Sequence, residues 1–119
     1  MQANQSQRLD IHRNGNVAVV RFRDRRITDG LEIEELGREL YQLAADDGHG
    51  KLVLNFAAVE FLSSATLGKL IKLHGKMKAG GGMLKLCNIR PQIFEVFKIC
   101  GLDRVFDIRA DEADALAAF

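Results

Sequence analysis

The chain has no tryptophan, a single proline and two cysteines, and aromatic residues make up only 7% of its 119 positions. It has no apolar run near the roughly 20 residues that a membrane-spanning helix needs, so no membrane insertion is expected. Neither charge sign dominates: 17 Lys and Arg stand against 16 Asp and Glu, a formal net charge of +1. That balance gives no reason to expect direct nucleic-acid binding or attraction to an anionic membrane. Cys87 and Cys100 lack CxxC spacing and each lies in an apolar stretch. Both therefore read as reduced core thiols rather than a disulfide or a metal site. The opening residues, MQANQSQRLD, are polar and contain no apolar signal core, which makes a cytoplasmic location the expectation. No low-complexity linker and no internal repeat is visible.

What is present suits one globular domain over residues 1–119, with 47% apolar and 28% charged residues. Leu9 to His12 and Val17 to Phe22 flank Asn14-Gly15, a type I′ turn signal, and read as a hairpin. Val17, Ala18, Val19 and Val20 are all apolar, which suggests a strand covered on both faces. Arg21, Arg23, Arg25 and Arg26 read as a solvated strand end and loop. Thr28 or Asp29 can cap a helix beginning near Leu31, with Ile33, Leu36, Leu40 and Leu43 on its apolar face. Asp46 to Gly50 breaks that helix. A short apolar strand, Lys51 to Phe56, follows, then a helix over Ser64 to Ala79 ended by Gly80-Gly81-Gly82. Met83 to Cys87 reads as a strand. Pro91 opens a helix whose apolar stripe is Ile93, Val96, Phe97 and Cys100, and Gly101 ends it. Val105 to Ile108 reads as an edge strand and Asp111 to Phe119 as a short terminal helix. The fold class expected is α/β, a mixed central sheet with packed helices.

The most informative stretch is FLSSATLGKLIKL, Phe61 to Leu73. Ser63 or Ser64 can cap the helix start, where unpaired N–H groups and the positive end of the dipole converge. The same position tolerates a phosphate. At 3.6 residues per turn, Leu67, Leu70, Ile71, His74 and Met77 share a face that reads as core. Lys69, Lys72 and Lys76 lie opposite and read as solvated. Ser64, Gly68 and Gly75 run along a flank between the two. Glycine inside a helix costs roughly 1 kcal/mol relative to alanine. Two of them need a reason, either close packing within the domain or docking of a partner.

These residues resemble the STAS domains, and among them the bacterial anti-sigma factor antagonists. The family pattern is an apolar strand, a short loop and then Asp-Ser-Ser/Thr-Gly-Leu-Gly opening a helix. Here LVLNFAAVEFL leads into SSATLG, and aligning on Leu67-Gly68 puts Ser64 at the family's phosphorylated serine. Ser63 stands where the Asp is usual, Ala65 at the next Ser/Thr and Thr66 at the Gly. Downstream, MLKLCNIRPQIFEVFKICGLDRVFDI is similar to the second characteristic stretch. The resemblance covers about residues 9–108 and implies a STAS-type fold, with the short C-terminal helix following it.

The resemblance also implies a function. The unmodified protein would bind an anti-sigma factor, itself a serine kinase, and thereby release a sigma factor. Phosphorylation of Ser64 would break that contact, a partner switch. The surface expected to meet the partner comprises Ser63, Ser64, Thr66, Gly68, Lys72 and Gly75. Any ATP would belong to the kinase, since this chain has no P-loop and no cofactor is expected on it. The alternative is a constitutive STAS scaffold or interaction subunit, for example of a lipid-transport ATPase complex, motivated by Ser63 in place of Asp. Catalysis is not expected. The chain has no G-x-S-x-G elbow, no metal-spaced His, Cys and Asp cluster, and no evident partner for His12, His49 or His74.

Overall fold

The computed structural model describes residues 8–47 and 50–119, so His49 and the first seven residues lie outside the described part. Strands β1 (Leu9–Asn14) and β2 (Val17–Phe22) form the expected hairpin, pairing antiparallel from Leu9↔Phe22 to Asn14↔Val17. The two residues at its tip are Gly15 and Asn16, and only Gly15 takes a positive φ, 64°. A type I′ turn needs positive φ at both central residues, so the tip is not of that type.

A two-residue strand, β3 (Arg26–Ile27), then leads to helix α1 (Gly30–Asp47). Asp29 is its cap: its Oδ1 accepts from the N–H groups of Leu31 and Glu32 at 2.9 and 3.2 Å. Ile33, Leu36 and Leu40 are buried as their spacing requires, and Leu43 is partly buried. Strand β4 (Lys51–Asn55) is followed by a second two-residue strand, β5 (Phe61–Leu62), and helix α2 (Ser64–Ala79). Then come β6 (Met83–Cys87), α3 (Pro91–Ile99), a single 3-10 turn (Leu102–Arg104), β7 (Asp107–Arg109) and α4 (Glu112–Ala117).

The main sheet has the order β1-β2-β4-β6-β7, parallel except for the β1–β2 hairpin. Alternate residues of its strands enter two cores. Ala18, Val20, Leu52, Leu54, Leu84 and Leu86 pack with residues of α1, α2 and α3. Val17, Val19, Val53 and Cys87 pack instead with Ala115, Leu116 and Phe119 at α4. The apolar run Val17–Val20 therefore lies in a strand covered on both faces.

Two expectations fail at α3. Val96 is 37% exposed and Cys100 is also at the surface, so only Ile93 and Phe97 hold the helix to the core. Both thiols are free, but only Cys87 is a core residue. Stripe counting overreaches here because this nine-residue helix turns only Ile93 and Phe97, four residues apart, fully into the core.

Candidate functional site

The start of α2 is set by the small sheet that the sequence reading missed. β3 and β5 pair in parallel, Arg26↔Phe61 and Ile27↔Leu62. The backbone oxygen of Arg25 accepts from the N–H groups of Glu60 and Phe61 at 2.8 and 3.0 Å. Two-residue strands are too short to show periodicity, and the arginines of this stretch read as loop. Those arginines are in fact committed. Arg25 forms a two-pronged bond to Glu60 at 3.2 and 3.1 Å, and Arg26 lies 4.8 Å above the Phe61 ring.

The two serines part company at this point. Ser63 is the N-cap, extended at φ −96° and ψ 167°, and its Oγ accepts from the Thr66 N–H at 3.4 Å. Ser64 is the first helical residue, exposed, and its hydroxyl has no partner among the described residues. No acidic residue occupies the first turn of α2. Ser64 thus sits at the positive end of a sixteen-residue helix with nothing nearby on that helix to repel an anion.

Thr66 points the other way. It is 1% exposed, and its Oγ1 donates to the Ile27 oxygen at 2.9 Å. The same oxygen accepts from the Ser63 N–H at 3.1 Å. Thr66, expected on the partner surface, is a buried fastener between the helix start and β3.

The whole helix is rotated from its expected setting. Leu73 is fully buried, and Ile71, expected in the core, is 45% exposed. His74 is part-buried, its ring edge-on to Phe106 at 5.4 Å. Lys69, expected in solvent, lies over Gly37 of α1 and pairs with Glu34 at 2.9 Å. The cause is α1, which packs along the Lys69 side of α2. Tyr41 donates to the Lys69 backbone oxygen at 3.2 Å. With Thr66, Leu70, Leu73 and Met77 turned inward, Ser64, Gly68, Ile71 and Gly75 face outward along one line. An added Cβ at Gly68 or Gly75 would meet no atom within 4 Å. Close packing within the domain is therefore not the reason for either glycine. Ser64, Gly68, Lys72 and Gly75 are exposed together on this side, with Ser63 part-buried at its top.

A second candidate is an open cleft of about 520 Å³ near the C-terminal ends of β2 and β4, beside the start of α4. Ligands commonly bind at the carboxyl ends of parallel strands. Here most of the polar groups are spent on each other, although the Asn88 Oδ1, also in the lining, is buried without a hydrogen-bond partner among the described residues. Glu112 receives two bonds from Arg21, at 2.7 and 2.8 Å, and one from the Asn55 amide at 2.6 Å. The Asn55 oxygen accepts from the Ala57 N–H at 2.8 Å. The Arg21 bonds hold the Glu112 carboxyl below the usual carboxylate range, with a further contribution from Asn55. This cluster fastens α4 to the sheet. Among the described residues no group of three or more His, Cys, Asp or Glu could hold a metal ion, and no helix is long and apolar enough to cross a membrane.

Comparison with known proteins places the chain and its fold in a family. The protein described as anti-sigma factor antagonist BtrV of Bordetella bronchiseptica is 29% identical over 93 residues, 78% of this chain and 79% of that protein. A crystal structure of an anti-sigma factor antagonist from Mycobacterium paratuberculosis superposes with a TM-score of 0.80 at 26% identity, covering 92% of this chain and 91% of that one. Bacillus SpoIIAA in its phosphorylated form shares the fold at a TM-score of 0.70 and 19% identity, covering 92% and 97%. Residues 8–115, nearly the full described length, match the STAS domain family, and the chain belongs to it.

Proposed function

We propose that this chain is an anti-sigma factor antagonist that works by partner switching. Unmodified, it binds an anti-sigma factor of the serine-kinase type through the outward side of α2. Phosphorylated on Ser64, it lets go. The observation that carries this reading is the division of labour between the two serines. Ser63 does the capping, so the Ser64 hydroxyl is exposed and has no structural duty. A phosphate there adds a charge of about −1.5 to −2 at a helix N-terminus that tolerates it. The fold survives the modification, and only a partner seated over Ser64 is disturbed. The names of the relatives, antagonists of anti-sigma factors, support the same reading.

The test uses purified anti-sigma factors of the serine-kinase type from the source genome. Each is incubated with the chain and ATP, and the product is mapped by mass spectrometry. Phosphate on Ser64, tight binding by Ser64→Ala and at least tenfold weaker binding by Ser64→Asp are expected. Equal binding by the two variants would sink the switch and leave the chain as a constitutive STAS interaction module.

A further inference from the structure

The sixteen residues of α2 include four lysines and no Asp or Glu. Elsewhere several cations are paired with carboxylates, and those that show no ion pair among the described residues, Arg26, Arg38, Lys51, Arg90 and Arg104, belong to different segments of the chain. Arg8 bridges to Asp24, Glu32 and Glu35, Arg21 to Glu112, Arg25 to Glu60, Lys98 to Glu95 and Arg109 to Asp107. On α2 itself Lys69 pairs with Glu34. Lys72, Lys76 and Lys78 have no carboxylate partner among the residues whose side chains are described, which do not include Asp46 and Asp47. Lys72 and Lys76 each lie 5.3 Å from the Tyr41 ring, along the α1 side of the outward face. Lys78 runs along the other side, beside His74 and Met77. Between these basic edges the face is small and apolar: Ser64, Gly68, Ile71 and Gly75.

We infer that the protein surface docking on α2 is apolar at its centre and carries carboxylates along its edges, opposite Lys72, Lys76 and Lys78. This rests on the antagonist reading above and adds the chemistry of the partner. The bare backbone at Gly68 and Gly75 admits a partner element close to the helix, and Ile71 gives it an apolar contact. The lysines then meet charges that only the partner supplies. A nucleic acid or an anionic bilayer is disfavoured by the neighbouring helix. α1 carries Glu32, Glu34, Glu35 and Glu39, of which Glu34 is well exposed. A polyanion broad enough to reach Lys72 and Lys76 would also meet Glu34, which stands exposed beside Lys69, whereas Glu32 and Glu35 are taken up by Arg8.

The experiment is calorimetric titration of the unmodified full chain with the anti-sigma factor that binds it, at low and at high salt. The Lys72→Glu, Lys76→Glu double variant should bind roughly tenfold more weakly or worse at low salt, with the gap closing as salt rises. Ile71→Asp should abolish binding at both salts. Arg13→Glu, the same charge change on the edge strand β1, should leave the dissociation constant unchanged. All four positions are exposed, so circular dichroism and the melting temperature confirm that each variant is folded. Binding that ignores both the lysine changes and the salt, yet is lost with Ile71→Asp, overturns the charge inference and spares the antagonist reading. Lysine-dependent binding to phosphatidylserine vesicles or to duplex DNA, run in parallel, overturns it in favour of a polyanion. If no anti-sigma factor binds the unmodified chain, both readings fall together.

Discussion

A methyl group added at Gly68 or Gly75 would meet nothing within 4 Å, and neither residue is among those with positive φ. Alanine is better than glycine inside a helix by roughly 0.5–1 kcal/mol. Gly68→Ala and Gly75→Ala should therefore each stabilise the isolated protein by about that amount, read as a rise in melting temperature. The same substitutions should weaken anti-sigma factor binding, because they raise the floor of the docking face. Gly82 gives the contrast: a Cβ there would come within 2.7 Å of the Gly50 oxygen, so Gly82→Ala should destabilise. Thr66→Val keeps the shape but removes the hydroxyl bonded to Ile27, a loss of about 1 kcal/mol. It should lower stability in denaturant melts without a direct effect on partner affinity. The sequence named all these α2 residues. It set Gly68 and Gly75 on an open flank, as found, but misjudged Thr66, Lys69 and Ile71, because the rotation of the helix is decided by Tyr41, Gly37 and Glu34 on another element. No periodicity within α2 encodes that neighbour.

At the scale of elements, α4 is held by charge as well as by apolar contact. Arg21 and Asn55 bind the Glu112 carboxylate and keep its pKa below the ordinary value. On β7, Arg109, then Lys85, hold Asp107 below the ordinary value as well. A carboxylate with a depressed folded pKa contributes stability that is present above its unfolded pKa, near 4. The contribution is lost as the pH falls through the folded value. Melting temperature should thus be flat from neutral pH down to about pH 5 and fall below it. Hydrogen exchange should show the amides of α4 opening early in that fall. Glu112→Gln should melt lower at neutral pH and show a shallower acid limb than the parent. A parallel acid limb in the two proteins would refute the role given to Glu112. The existence of α4 was legible from Asp111, which caps it with an Oδ1 bond to the Asp114 N–H at 2.9 Å. Its docking site was legible only in outline, from the doubly apolar strand Val17–Val20. The bond that fixes it spans 91 residues, between Arg21 and Glu112, and no local pattern announces such a pair.

Across the whole molecule, the sheet is covered unequally. Three helices, α1 to α3, cover one face, and the six-residue α4 with Leu116 and Phe119 covers the other. The mixed α/β architecture followed from the alternation of strand and helix signals along the chain. Which face each helix takes depends on crossovers that the sequence does not spell out. The thin second layer makes Cys87 a reporter of its integrity. Burial, the largest influence, pushes the Cys87 thiol up to about 12, whereas Cys100 is at the surface. In the intact protein a maleimide should label Cys100 quickly and Cys87 only on unfolding. Deleting residues 111–119 removes Ala115, Leu116 and Phe119 from Val17, Val19, Val53 and Cys87. The three-helix face and the α2 surface do not depend on that layer for their packing. The truncated chain should therefore melt lower and expose an apolar sheet face, yet keep its α2 side folded. Labelling should then count two reactive thiols per chain in place of one, with the second rate restored to the slow value when α4 is present. A truncated chain that still shields Cys87 would mean that α4 is not what closes this face.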